Sequence, residues 1–117
     1  MRPKTIIIDI DGTLIEHYGD ASAQLQRAPK ILPNVIKRFN EWDKKGYNII
    51  LITGRRESWR ERTEEQLLEI GLFFDQLIMG VGGGTRVLIN DLKPDGNWET
   101  AIAYNIIRNT GLGDVDV

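Results

Sequence analysis

An uninterrupted β-branched run, a second apolar run of strand length and several apolar stripes at helical spacing lay out the chain. Ile6-Ile7-Ile8 within residues 4–10 predicts a strand buried on both faces, and Tyr-Asn-Ile-Ile-Leu-Ile-Thr at 47–53 predicts a second. Between them lies an irregular stretch, about residues 11–32, containing Gly12, Gly19 and Pro29. A helix then follows, with Pro33 in its first turn, Val35, Ile36, Phe39 and Trp42 on one apolar face and Gly46 just past its end. A charged helix is predicted from about 57 to 70, closed by Gly71, with Trp59, Thr63, Leu67 and Ile70 inward. A short strand at 76–79 leads into the glycine-rich 80–84 loop. The pattern then predicts a strand at 86–90 ending at Asp91, and a last helix at 98–109 with Asn97 as its N-cap. Strands alternating with helices predict an α/β fold, a Rossmann-like three-layer α/β/α sandwich around a mostly parallel sheet.

Composition narrows the chemistry. A length of 117 residues suits one domain, and 41% hydrophobic residues suffice for one core. The net charge of −2 gives no general attraction to nucleic acid or anionic membrane, so a nucleic-acid partner is not expected. Cysteine is absent, which excludes disulfides, thiolate catalysis and cysteine-based zinc sites, and a single histidine, His17, excludes a multi-histidine metal centre. No apolar stretch approaches the roughly 18–20 residues of a membrane span. The N-terminal residues run into a strand with no signal-peptide pattern, so the expected location is cytoplasmic.

The chemistry concentrates where the predicted strands end, at Asp9-Ile10-Asp11-Gly12-Thr13-Leu14, Thr53-Gly54-Arg55 and Asn90-Asp91. Ligands of open parallel sheets bind at the carboxyl ends of the strands, so three such clusters converge if the strands are neighbours. Singly, each has a plainer reading: a turn or calcium loop for Asp-x-Asp-Gly, a strand-to-helix connection for Thr-Gly-Arg, a turn for Asn-Asp. An EF-hand is discounted because Thr13-Leu14-Ile15 continues apolar. Asp9, Asp11 and Asp91 together form an all-oxygen set that suits Mg²⁺. Such an ion and an in-line carboxylate nucleophile fit phosphate monoesters. Thr53 and the amides around Gly54 are suited to phosphoryl oxygens, and Gly12 permits close backbone approach.

The Asp9-Ile10-Asp11-Gly12-Thr13-Leu14 segment resembles the first motif of the haloacid dehalogenase (HAD) superfamily of phosphohydrolases. Thr53 matches the hydroxyl residue of its second motif and Asp91 its acidic fourth motif, so the resemblance spans residues 5 to about 95. It implies that Asp9 attacks phosphorus and that Asp11 is the general acid/base. It also implies Mg²⁺ held by the Asp9 carboxylate, the Asp11 carbonyl and the Asp91 carboxylate. Asp11 tells against the dehalogenase branch.

The family's third motif is a lysine or arginine. Arg86 starts the strand leading to Asp91, whereas Lys93 lies just beyond it and nearer the expected catalytic edge; Lys93 is preferred. Asp95 fits an Asp-x-x-x-Asp version of the fourth motif, or a plain turn in Pro94-Asp95-Gly96. Arg55 and Arg56 are candidates for phosphate contact or simple surface charge, and His17 is expected in a solvated loop. Trp42, Trp59 and Trp98 are expected in core or interface. Only about forty residues separate Asp11 from Thr53, which leaves no room for a cap domain. The expectation is an uncapped phosphatase acting on a small phosphorylated metabolite such as a sugar phosphate, its site closed in a homo-oligomer. A polynucleotide phosphatase, or a non-catalytic metal- or phosphate-binding module, is the alternative.

Overall fold

The computed structural model describes residues 2–94, 96 and 98–117. Three parallel strands, β1 (Thr5–Asp9), β2 (Asn48–Ile52) and β3 (Gln76–Ile78), form a sheet in the order β1-β2-β3. Asp9 lies opposite Ile52, and Ile52 opposite Ile78, so all three strands end at one level. The ladder carries on past β2, because Thr53 N donates to Ile78 O at 3.0 Å and Val81 N to Thr53 O at 2.9 Å.

Between β1 and β2 lie a short helix α1 (Ala21–Gln26) and α2 (Val35–Lys44). A 3₁₀ turn (Glu57–Trp59) and α3 (Arg60–Glu69) join β2 to β3. Adjacent parallel strands taken in chain order, with right-handed crossovers, place the connecting helices on one face of the sheet. Burial follows that rule. Ile8, Ile49, Leu51 and Leu77 are buried, with Val35, Phe39 and Trp42 of α2 and Leu67 of α3 in the same core, while Ile7 and Ile78 stay exposed. The strands thus bury alternate residues rather than both faces. Phe39 anchors the packing, with its ring 5.3 Å from Trp42 and 5.7 Å from Phe73. Ile36, expected on the inner stripe, is 42% exposed.

The first three strands and α2 match the sequence pattern to within a residue or two, and the helix expected from about 57 opens as the 3₁₀ turn and becomes α3 at Arg60. The end of the chain does not. Residues 86–109 form neither the expected strand at 86–90 nor the expected helix at 98–109. Val87, Leu88, Ile89 and Trp98 are exposed in consequence. Asn97, expected to cap that helix, lies outside the described residues. The tail instead fastens to the start of α2: Leu112 N donates to Pro33 O, and Arg38 Nε and Nη2 donate to the carbonyls of Leu112 and Gly113. Leu112 and Val115 join the core. The result is an α/β, Rossmann-like fold on a parallel sheet with no cap domain.

Candidate active site

A pocket of about 360 Å³ opens at the carboxyl end of the sheet, between β1, β2 and the flap that follows β1. Asp9 contributes the last residue of β1. Its carboxyl is raised above the usual range, chiefly by burial; the backbone N–H of Ile10 and the charge of Arg86 pull the other way, and neighbouring Asp11 adds to the rise. Thr13 Oγ1 donates to Asp9 Oδ2 over a long 3.4 Å. Burial raises a carboxyl because the charged form loses water, and a cation nearby restores part of that loss.

Asp11 is held by a fixed set of donors. Arg55 Nε reaches its Oδ2 and Arg55 Nη2 its Oδ1, both at 2.8 Å, and Gln24 Nε2 donates to Oδ1 at 2.7 Å. Arg55 is 5% exposed, and its Nη1 donates to Thr63 Oγ1 at 2.9 Å and Gln66 Oε1 at 2.6 Å. Gln66 Nε2 in turn donates to Gln24 O at 2.9 Å. A buried polar web thus ties the ends of β1 and β2 to α3 and the flap, and most donors of the Arg55 fork are spent inside it. Of the candidates for phosphate contact, Arg55 is therefore chiefly the partner that orients Asp11.

The flap is shaped by Gly12, at φ +86°, where its N–H donates to Ile15 O at 2.8 Å. Backbone bonds from Glu16 to Lys30 and from Leu32 to Leu14 close its base. Asp20 caps α1 by accepting from Ala23 N at 2.8 Å. His17 is half-buried and lines the pocket rather than standing free in solvent, and its Nδ1 accepts the Gly19 N–H at 3.1 Å. Thr53 is buried beside Asp9, and its Oγ1 accepts from Arg55 N at 3.1 Å, which leaves the hydroxyl hydrogen for another acceptor. Gly54 follows, so close to Val81 that a Cβ would lie 3.2 Å from its carbonyl oxygen.

Of the predicted residues, Asp9, Asp11, Thr53, Gly54, Arg55 and Arg86 meet in the pocket. Gly12 lies behind the lining, against Arg108 and His17. Asp91 and Lys93 do not line it: both are exposed, and Asp91 O accepts from Thr100 Oγ1. Without a strand at 86–90, nothing carries Asp91 to the edge where Asp9 sits. Between the two cations weighed for the third motif, Arg86 rather than Lys93 faces Asp9. Asp95 lies outside the described residues.

The magnesium set of Asp9, Asp11 and Asp91 is consequently not assembled. Among the described residues no three acidic or histidine side chains could hold a metal ion; the Asp11 side chain is taken by Arg55 and Gln24, which leaves its backbone carbonyl as the donor the resemblance implied.

Gln24, Gln66 and Arg108 escaped the sequence reading. A polar Thr63 on an otherwise apolar helix face was the visible sign of the Gln66 web. Gln24 and Arg108 sit in segments whose periodicity says nothing about the pocket. No helix among the described residues is long and apolar enough to cross a membrane.

The family model for the phosphatase domain of polynucleotide kinase PNKP matches residues 3–82. Two solved structures of Pnkp1/Rnl/Hen1 assemblies, one described as an RNA repair complex, contain similar chains. The first is 31% identical over 73% of this chain and 30% of its own, with a TM-score of 0.58. The second is 30% identical over 66% and 25%, with a TM-score of 0.57. This chain therefore spans under a third of the length of either. A crystal structure from Vibrio cholerae shares the fold at 20% identity, covering 78% of this chain and 84% of its own, with a TM-score of 0.53. No curated protein matches. A pocket with paired aspartates at the end of the first strand, inside a match of this extent, places the chain: it belongs to the family of the PNKP phosphatase domain, among the phosphatases of the HAD superfamily.

Proposed function

We propose that this phosphatase removes a terminal phosphomonoester from a polynucleotide strand through an aspartyl-phosphate at Asp9. The observation that carries the reading is the family match over residues 3–82, which includes the whole Asp9, Asp11, Thr53 and Arg55 constellation. An uncapped pocket admits the end of a long substrate. The net charge of −2 had argued for a small metabolite such as a sugar phosphate, but it describes the whole chain. The pocket itself carries Arg86 and Arg108, neither of which has a hydrogen bond or ion pair among the described residues.

In the first half-reaction a carboxylate oxygen of Asp9 attacks phosphorus as the ester P–O bond breaks, and the departing hydroxyl oxygen takes a proton from the Asp11 carboxyl group. Water then attacks the phosphorus of the acyl-phosphate, the P–O bond to Asp9 breaks, and Asp11 takes the water's proton. Inorganic phosphate and the Asp9 carboxylate are regenerated. Among the described residues Asp11 Oδ2 accepts only from Arg55 Nε, so one lone pair is left for that proton. Thr53 Oγ1 and the Gly54 amide serve as donors to the phosphoryl oxygens, and Arg86 neutralises charge beside Asp9.

Mg²⁺ is proposed as the cofactor on the resemblance alone. The residues that now meet in the pocket do not complete its donor set, so no step is drawn through it. Exhaustive chelation should abolish phosphate release, and full activity without divalent ions would remove magnesium from the proposal. The homo-oligomer remains part of the proposal too, supported by the open apolar face of the sheet.

The decisive assay measures phosphate release from 5′- and 3′-phosphorylated oligonucleotides, mononucleotides and sugar phosphates. Highest kcat/KM on oligonucleotides is expected. Turnover of sugar phosphates with none on oligonucleotides would restore the small-metabolite reading.

A further inference from the structure

We propose that Arg108 binds a second phosphate of the substrate, adjacent to the one that Asp9 attacks, so that the pocket selects ligands carrying two neighbouring phosphate groups. This rests on the phosphohydrolase reading but adds a residue outside the 3–82 family match.

Arg108 is exposed yet held at the pocket from a distant part of the chain. The next residue, Asn109, donates its backbone N–H to Gly12 O at 2.8 Å. Its side chain grips the flap twice, as Oδ1 accepts from His17 N at 2.8 Å and Nδ2 donates to His17 O at 3.3 Å. Asn109 adopts φ +65°, a left-handed conformation that asparagine tolerates better than most residues. The clamp lays the Arg108 stem over Gly12: a Cβ there would lie 3.1 Å from Arg108 Cγ and 3.6 Å from Nε. A glycine in the flap thus makes the space that the arginine fills.

The two pocket arginines without an ion pair among the described residues occupy different places. Arg86 is the cation that acts on Asp9, and Arg108 is not among the charges that reach it. Arg108 instead lies on the Gly12 and His17 side of the opening. Asp20 also lines the pocket; its Oδ1 accepts the Ala23 N–H at 2.8 Å, and it makes no ion pair with Arg108 among the described residues. One arginine beside the nucleophile and a second set apart match a monoester flanked by another phosphate. A guanidinium fork suits phosphate oxygens, and its exposure makes the expected contribution moderate and salt-dependent.

The test compares substrates that differ by one phosphate. A dinucleotide with a terminal monoester is paired with the mononucleotide, and a sugar bisphosphate with the matching monophosphate, for wild type, Arg108→Gln and Arg108→Lys. Wild type should prefer the two-phosphate member. In Arg108→Gln that preference, the ratio of the kcat/KM values, should fall on the order of tenfold, with partial recovery in Arg108→Lys. Melting curves verify folding. Should Arg108→Gln not fold, salt dependence in wild type decides: KM for the two-phosphate member should rise more steeply with ionic strength. An unchanged ratio, an equal loss on both members, or no wild-type preference in either pair would overturn the assignment. If oligonucleotides are not hydrolysed at all, the polynucleotide reading fails, and the sugar pair still decides the role of Arg108.

Discussion

Asp9 and Asp11 stand two residues apart and meet opposite environments, which sets what each substitution should do. Asp9 is half-buried with few donors, and the loss of water raises its carboxyl above the ordinary value. A raised carboxylate pKa means that the ionised form costs stability. The cost is fully present above the folded pKa and vanishes as pH falls below the unfolded value of 3.8. Asp9→Asn should therefore abolish turnover and also melt at a higher temperature than wild type at neutral pH, the difference closing toward acid. Paired melting curves from pH 3 to 8 check this, and a variant less stable at pH 7 would refute the desolvation account. Arg55 poses the reverse case. Its loss strands Asp11, Thr63 and Gln66 around a buried vacancy, so Arg55→Met should cost about 3–5 kcal/mol, the usual penalty for breaking one side of a buried pair. Arg55→Lys should recover little, because an ammonium cannot span both Asp11 oxygens and reach α3 as well. Denaturant unfolding reads both; near-wild-type stability in either would dismiss the web as the element that fixes Asp11.

At the scale of elements, local pattern reached as far as local forces decide. β1, β2, α2 and α3 were legible because Ile-rich runs and apolar stripes closed by Gly46 and Gly71 favour one structure each, and both catalytic-edge motifs came with them. Two things were not legible. The α1 helix is only six residues long and is set by the Asp20 cap and the Gln24 contacts, which no periodicity announces. Residues 86–109 carry strand-like and helix-like patterns, yet among the described residues β1 pairs only with β2 and the 86–90 run is not hydrogen-bonded to its free edge. Propensity proposes a strand; pairing makes one. Nor did the pattern foresee the tail, whose attachment depends on a close approach that only glycine allows. Gly111 has φ +86°, and a Cβ there would lie 2.2 Å from Pro33 O. Gly111→Ala should therefore detach residues 111–117 from α2 and cost several kcal/mol, since strain and the loss of buried Leu112 and Val115 add together. Gly83→Ala is the internal control, because nothing lies within 4 Å of its added methyl and its φ is ordinary. Hydrogen exchange at Leu112 N, bonded to Pro33 O, should rise sharply in the first variant and stay unchanged in the second; equal protection in both would contradict the tight contact.

For the whole molecule, the two helical crossovers cover one face of the sheet and leave the other unfinished. Ile7 is 49% exposed and Ile78 44%, on the face opposite the core. Val87 and Ile89 are 77% and 88% exposed in a run with no ladder partner among the described residues. Single exposed apolar residues are ordinary, but a bare sheet face together with a bare β-branched run is what association normally covers. Closed symmetric pairs are the commonest outcome of such self-complementary surfaces. The chain is therefore expected to sediment as a dimer or larger closed assembly at micromolar concentration rather than at 13.3 kDa. Ile89→Lys should shift it toward the monomer, because an ammonium cannot be buried in an apolar contact without a partner. Catalysis separates two uses of that surface. If association only covers apolar area, the dissociated variant keeps its kcat/KM on oligonucleotides. If the partner also shields the pocket, kcat/KM should fall as the protein is diluted through the dissociation range. A wild-type chain that runs as a monomer at every concentration would show that the open face needs no second copy.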